Sequence, residues 1–322
     1  TETLYEQALQ SFYEEDYDVA YIRLKNVLKQ KPNFMPANIM LGKVLLAKHY
    51  YRDAEVAFFK ALKQGGDIEN IIVPLGEVLL AQGKFKQLLT LAQQGTLSKD
   101  TEVSWQLLKA RTYSLLEQEQ QQLTAYEKVL SLSPANIDAL NGLAAYHFKN
   151  NQLRKSQAFV SQSMAVNKQH HRTWHLQGQI HKQQKNLPKA KECFLHVLTL
   201  APDYVNAMRA LALIYVDADE SESALEMVNQ VLAIVPFDPQ ASLLKAELLL
   251  KNKDEALAKE IVQNLHDDIT FISKNSLSEQ DWLLFITGVS TYLLQNYEAT
   301  IQSLKQYLSR QPNDFNAVLL LA

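Results

Sequence analysis

Four histidines lie close together in the stretch 167–184, at His170, His171, His175 and His181. Residues four positions apart on a helix point to the same side. The imidazoles of His171 and His175 could therefore share a metal ion, because histidine nitrogen is a common zinc ligand. The sequence HRTWH, however, lacks the glutamate of a zinc-protease helix, and no carboxylate lies nearby in the sequence. We therefore predict no metal ligand in this stretch.

The rest of the chain gives no stronger indication of catalysis. Nucleophiles and carboxylates are scattered over helical positions that we expect to face solvent, and no glycine-rich phosphate loop or nucleophile elbow occurs. The lone cysteine, Cys193, excludes both an intrachain disulfide and a multi-thiolate zinc site. We predict that the protein is not an enzyme, with no catalytic residue and no cofactor.

Composition and charge limit the possible partners. The chain has 322 residues, of which 47% are hydrophobic and 21% charged, so it can bury a large core. Its net charge of −3 gives no reason to expect a nucleic-acid partner. No apolar run is long enough to span a bilayer, and the N-terminal TETLYEQALQ is not a signal peptide. Because the chain starts without Met and stops at NAVLLLA, we expect it to be part of a longer protein.

The prolines reveal a repeat that positions all of these residues. Pro32, Pro134, Pro202 and Pro236 are separated by 102, 68 and 34 residues, all multiples of 34. The intermediate positions without proline include Asp100, a residue type often found at a helix end. A small residue occurs 24 positions before each of these sites: Ala8, Gly42, Gly76, Ala110, Ala144, Gly178 and Ala212. A fixed period of 34 predicts a stack of helix pairs, each with a first and a second helix.

The pattern within one repeat is more specific. The sixth repeat has Trp174, Gly178, Ala190, Phe194 and Pro202 in order, and it resembles the tetratricopeptide repeat family. That resemblance implies an all-α fold, a right-handed superhelical solenoid of antiparallel helix pairs. We expect a single array, with nine repeats at 1–34, 35–68, 69–102, 103–136, 137–170, 171–204, 205–238, 239–272 and 281–314, a longer link at 273–280 and a partial tenth repeat at 315–322.

Small residues in both helices should let the two backbones of a pair approach closely. In the second helices these residues are Ala20, Ala54, Ser156, Ala190, Ala224 and Ala258. Gly178→Leu should then be severely destabilising. Gly178→Ala is expected to be neutral or mildly stabilising, because glycine costs about 1 kcal/mol relative to alanine within a helix.

The repeat register gives the histidines another role. His147 and His181 occupy the large first-helix position that is Tyr113 and Tyr215 in other repeats. We expect inward packing rather than metal binding at this position.

The family resemblance implies that the first helices line a concave groove that binds protein. The candidate groove residues are Asn141 and Lys149 in the fifth repeat, Arg172, His175, Gln179 and Lys182 in the sixth, and Asn206 and Arg209 in the seventh. We expect an acidic segment of a partner protein to bind there, with His175 kept neutral by the nearby cations. Changing Arg172 and Arg209 to Glu together should then abolish binding without changing stability. The alternative is a structural spacer or self-assembling array, associating through its cut ends, with no ligand in the groove.

A narrower resemblance covers the second and third repeats. The glycine pair Gly65–Gly66 and the run LLAQGKF at 79–85 are similar to the tetratricopeptide-repeat lipoprotein of the bacterial PEP-CTERM/exosortase protein-sorting system. The longer link before Trp282 also fits that family. The resemblance implies a lipid-anchored parent on the periplasmic face of the bacterial cell envelope, linked to exopolysaccharide export. A cytoplasmic location is the alternative.

Overall fold

The computed structural model describes residues 2–91, 96–275 and 281–321. Within these ranges the chain forms helices and no β-strand, so the predicted all-α fold is confirmed. The chain divides into two compact units, Thr1–Lys168 and Gln169–Ala322.

The first unit consists of helix pairs packed one after another. Its α-helices are α1 (Glu2–Tyr13), α2 (Tyr17–Gln30), α3 (Met35–Ala47), α4 (Tyr51–Lys63), α5 (Ile72–Ala81), α6 (Phe85–Leu89), α7 (Lys99–Leu115), α8 (Glu119–Leu132), α9 (Ile137–Lys149) and α10 (Leu153–Val166), with a 3₁₀ helix at Ile68–Asn70. Its core runs through the interior of these pairs and contains fully buried Leu24, Phe58, Leu75 and Leu79.

The second unit is built in the same way. Its helices are α11 (His171–Gln183), α12 (Leu187–Leu200), α13 (Val205–Asp217), α14 (Ser221–Ile234), α15 (Pro239–Lys251), α16 (Glu255–Asn275), α17 (Asp281–Leu293), α18 (Tyr297–Arg310) and α19 (Phe315–Leu321). Helix α16 has 21 residues, against 14 in α12, α14 and α18, so part of the predicted link at 273–280 is helical. The remainder, 276–280, lies outside the described residues.

The turn inside each helix pair has the same backbone conformation. Its middle residue has a φ between 55° and 69°: Glu15, His49, Gly83, Glu117, Asn151, Lys185, Asp219, Lys253 and Gln295. Successive members follow one another at the sequence period as far as Lys253, and Gln295 comes later because the longer link intervenes. A residue in the left-handed conformation just after a helix ends that helix and lets the following amides donate hydrogen bonds to its last carbonyls. The turn therefore recurs with the period seen in the sequence, although only one of these residues is glycine.

The small residues of the repeat lie where two helices of a pair meet. Ala20, Ala54 and Ser156 are fully buried, and the Ser156 hydroxyl donates a hydrogen bond to the Ala144 carbonyl of the facing helix at 2.8 Å. A Cβ built on Gly178 would lie 2.7 Å from the Phe194 ring, closer than real carbon atoms approach. This contact opposes the expectation that Gly178→Ala would be neutral, because the new methyl group would have to displace a buried aromatic ring.

The third repeat departs from the others. Helix α6 has only five residues, and Asp100 lies in the first turn of α7 rather than at the end of a helix. The reason is local: the Ser98 side chain accepts a hydrogen bond from the Thr101 amide and so caps α7. Glu69 in turn accepts hydrogen bonds from the Ser98 amide at 3.0 Å and from the Ser98 hydroxyl at 2.5 Å. The reading of Asp100 as a helix-ending residue is therefore corrected.

Candidate functional site

The eight candidate groove residues differ in how they are placed. Asn141 and Lys149 belong to the first compact unit, and the other six belong to the second. Lys149, Arg172 and Asn206 are exposed, Gln179, Lys182 and Arg209 are half-buried, and Asn141 and His175 are buried. Two of the eight are therefore core residues, and each unit has to be considered by itself.

Arg209 has a structural partner within the second unit. Its guanidinium forms an ion pair with the carboxylate of Asp238, which is only 2% exposed. It also donates a hydrogen bond to the Asn206 side-chain oxygen at 3.0 Å. Asp238 has a second role, because its carboxylate accepts the Ala241 amide at 2.9 Å and caps α15. Arg209 therefore compensates a buried charge at a helix start, and the expectation that its reversal would leave stability unchanged is wrong.

His175 packs against aromatic rings and not, as expected, beside cationic side chains. Its ring centroid lies 5.3 Å from those of Phe194 and Tyr204. Its Nδ1 is buried with no hydrogen-bond partner among the described residues. Burial, and next the nearby His171, lowers the pKa of His175 to about 4. The neutral form is favoured as expected, but the main cause is loss of hydration and not neighbouring cations.

Acidification should therefore weaken the fold through His175. The folded-state pKa of about 4 lies below the ordinary histidine pKa of 6.5, so the unfolded chain binds the proton more readily between these values. The stabilisation is complete above pH 6.5 and decreases as the pH falls toward 4, by about 3 kcal/mol in total. Denaturant titrations across this range should show the loss in the wild type and a smaller loss in His175→Phe. Equal pH dependence in both would contradict the assignment.

The remaining histidines of interest also make protein contacts. His147 is buried, its Nδ1 lies 2.7 Å from the Gln152 side-chain oxygen, and its ring stacks on Phe159 with centroids 5.5 Å apart. His181 is half-buried, with its Nε2 2.8 Å from the Gln177 side-chain nitrogen. In the described part of the chain, no group of three His, Cys, Asp or Glu side chains could hold a metal ion.

A partly exposed apolar strip lies on the first helices of the first unit, and the sequence reasoning missed it. The fifth position of the repeat holds Tyr5, Ile39, Val73 and Leu107, and the twelfth holds Phe12, Leu46, Leu80 and Phe148. All eight are half-buried. We call these eight residues the first-helix strip. None of the eight is among the candidate groove residues predicted from the sequence. A comparison of one repeat position across successive repeats would have found the strip.

Lysine and arginine side chains lie at the ninth position on the same helices. Lys43 is half-buried and Arg111 is exposed, while Glu77 occupies the same position between them. The strip thus offers apolar contact area together with charges of both signs. In the described ranges, no helix combines the length and apolar character needed to cross a membrane.

Comparisons with known proteins agree with the repeat pattern. Two family models, both described as tetratricopeptide repeat, match residues 106–136 and 182–248. No curated protein sequence matches the chain.

Solved structures show a similar fold. The structure from the functional characterization of Pseudomonas aeruginosa pilF has a TM-score of 0.53 at 16% identity, covering 69% of this chain and 96% of its own. The APC/C hetero-tetramer Cut9-Hcn1 has a TM-score of 0.48 at 12% identity, covering 99% of this chain and 88% of its own. The MamA protein has a TM-score of 0.43 at 14% identity, covering 56% and 98% respectively. The pilF likeness shows a similar fold, and the two matching models identify tetratricopeptide repeats in residues 106–136 and 182–248 of this chain.

Proposed function

We propose that this protein is a non-enzymatic scaffold that binds a segment of another protein along the first helices of its repeats. The first-helix strip is the observation that carries the proposal. Its apolar side chains recur at two repeat positions and stay partly exposed, whereas the core residues beside them are fully buried. Partly exposed apolar side chains that recur along one set of helices are a candidate protein-binding surface. An amphipathic or extended segment could place its apolar side chains on the strip.

The charges suggest which segments would bind. Lys43 and Arg111 lie between the two strip positions in the first unit, with one carboxylate, Glu77, on the helix between them. Arg172 and Lys182 belong to first helices of the second unit. These cations support the proposal of an acidic partner segment, with attraction acting mainly on the association rate. We no longer propose that Arg209 and His175 bind the partner. Arg209 pairs with Asp238, and His175 is buried in the core. A spacer with no groove ligand remains the competing function, and it would give the strip no partner.

Shortening two strip residues tests the proposal. The double variant Leu46→Ser/Leu80→Ser copies Ser114, which occupies the same repeat position and is exposed. We expect it to lose most of the partner protein that the wild type captures from extracts of its host cell, while its circular dichroism stays unchanged. The matched control is Val166→Ser/Leu195→Ser, which removes apolar residues that are 44% and 42% exposed on second helices. Equal losses in the two double variants would contradict binding along the strip.

We further propose a location from resemblance alone. Gly65–Gly66, the LLAQGKF run at 79–85 and the long link before Trp282 support a parent protein in the bacterial envelope, facing the periplasm and linked to PEP-CTERM sorting and exopolysaccharide export. Fractionation of cells that produce the full-length protein should recover it with the membranes, and deletion of its gene should reduce secreted polysaccharide. Recovery in the cytoplasmic fraction would contradict this location.

A further inference from the structure

A second recessed surface lies on a different side of the repeats, between the second helices α2 and α4. Its floor is apolar and consists of Leu28, Leu41, Leu45 and Ala57. Its walls carry Lys25 and Lys29 from α2 and Lys60 from α4. We call the surface that includes these four apolar residues and three lysines the α2–α4 groove. It has a volume of about 660 Å³, and its lining is completed by Tyr21, Asn26, Asn38, Asp53 and Val56.

The groove has an excess of positive charge that the protein does not neutralise. Residues 17–64 hold nine Lys or Arg and three Asp or Glu, a net charge of +6 in a chain of net charge −3. Two of those three carboxylates are engaged elsewhere, because Asp18 pairs with Lys48 and Glu55 pairs with Lys84.

The three groove lysines are all exposed. Among the described residues, no carboxylate lies within ion-pair distance of any of them. Only Asp53 contributes a negative charge to the groove lining. The charge of the lysines is therefore available to a partner.

The same unit contains an internal comparison. A groove of about 530 Å³ occupies the corresponding place between α8 and α10, three repeats further along, and it includes Glu127 and Gln162. The repeat register aligns Lys25, Lys29 and Lys60 with Glu127, Ser131 and Gln162. The repeat fold therefore accepts acidic or neutral residues at these three positions. The lysines are therefore not needed to build the helices, and their charge can serve binding.

We propose that the α2–α4 groove binds an acidic amphipathic helix of a partner protein. The apolar floor would take side chains from one face of that helix, spaced three and four residues apart, and its carboxylates would reach the lysines on both walls. The walls are themselves helices, whose backbone groups are already hydrogen-bonded, so an extended strand would find no backbone partners. Binding therefore depends on side chains, as in helix-in-groove recognition.

Other anionic ligands fit this groove less well. Nucleic acid without sequence preference needs a basic channel with several exposed aromatic platforms for successive bases, whereas Tyr21 is the one aromatic side chain among the described residues that line this groove. A membrane surface would meet the lysines but would leave the recessed floor uncovered. The α2–α4 groove is separate from the first-helix strip, so the failure of one proposal would not decide the other.

The test is selection from a displayed library of helical peptides about five turns, or about 18 residues, long. The wild-type chain is the target, and Lys25→Glu/Lys29→Ser/Lys60→Gln is the soluble competitor, with each new residue copied from the corresponding repeat position of α8 or α10. Selected peptides are then synthesised, and their Kd is measured by fluorescence anisotropy at low and high salt. The control Lys86→Ser/Lys128→Glu/Arg154→Gln makes the same change in net charge at exposed positions outside the α2–α4 groove.

We expect the selected peptides to be acidic, with apolar residues three and four positions apart. They should bind the groove variant about tenfold more weakly than the wild type, bind the control variant like the wild type, and weaken with salt. Selection of only basic or neutral peptides, or of peptides that bind the groove variant equally well, would overturn the proposal. It would also be overturned if a single-stranded DNA oligonucleotide or phosphatidylglycerol vesicles showed lysine-dependent binding while no acidic peptide did.

Discussion

Replacing Arg209 with glutamate should destabilise the second unit by roughly 2–4 kcal/mol. The substitution removes the cation that pairs with Asp238 and places a second carboxylate beside a side chain that is 2% exposed. Arg209 itself is 35% exposed, which keeps the loss below that of a fully buried pair. Because Asp238 caps α15, the repulsion should also weaken the start of that helix. Urea titration followed by circular dichroism measures the change in the free energy of unfolding.

The matched control is Arg172→Glu, which makes the same charge change on an earlier first helix. Arg172 is exposed and lies in the first turn of α11, where a negative side chain interacts well with the helix dipole. We expect the free energy of unfolding of this variant to differ from the wild type by less than about 0.5 kcal/mol. Equal effects of the two substitutions would mean that Arg209 is not a structural partner of Asp238.

Gly178→Ala should destabilise by about 1–3 kcal/mol, and Gly178→Leu by more. The new Cβ would meet the Phe194 ring at 2.7 Å, and Phe194 is fully buried, so it cannot swing into solvent. The pairing recurs in the chain. The two corresponding positions hold Gly42 and Phe58 in the second repeat, but Ala144 and Val160 in the fifth. In the fifth repeat a larger residue in the first helix accompanies a smaller one in the second.

A double-mutant cycle tests this size matching. Phe194→Val alone should leave a cavity, and Gly178→Ala alone should create a clash. Together they recreate the alanine–valine pair of the fifth repeat. The double variant should therefore be more stable than the sum of the single effects predicts, by about 1 kcal/mol or more. Strictly additive free energies would contradict direct packing of Gly178 on Phe194.

The helical fold could be predicted from the sequence because the same pattern of residues occurs in many repeats. The small residues and prolines return at a fixed period, so errors in single residues do not change the pattern. The third repeat shows where this reasoning fails. A capping serine, Ser98, outweighs the position of Asp100 in the period, because the local hydrogen bond from the Thr101 amide decides where α7 begins.

The candidate groove could be predicted less well, because side-chain partners come from neighbouring elements of the repeat. Arg209 was read as a free cation, although Asp238 follows it at slightly less than one full period. The same separation in sequence joins three other ion pairs among the described residues: Glu55 with Lys84, Lys191 with Glu220, and Asp281 with Arg310. Opposite charges at this separation were therefore a usable signal. The burial of His175 could not be predicted in this way. It depends on the packing of Tyr204, which lies just before α13.

Photo-crosslinking from the first-helix strip tests the central claim most directly. The full-length protein carries a benzophenone amino acid at position 46 or 80 on the strip, or at position 166 or 195 on second helices, and is irradiated in its host cell. We predict discrete protein adducts from positions 46 and 80 and none from positions 166 and 195, with the adducts reduced by the serine substitution at the other strip position. Adducts from the second-helix positions alone, or from no position, would contradict a scaffold that binds its partner along the first helices.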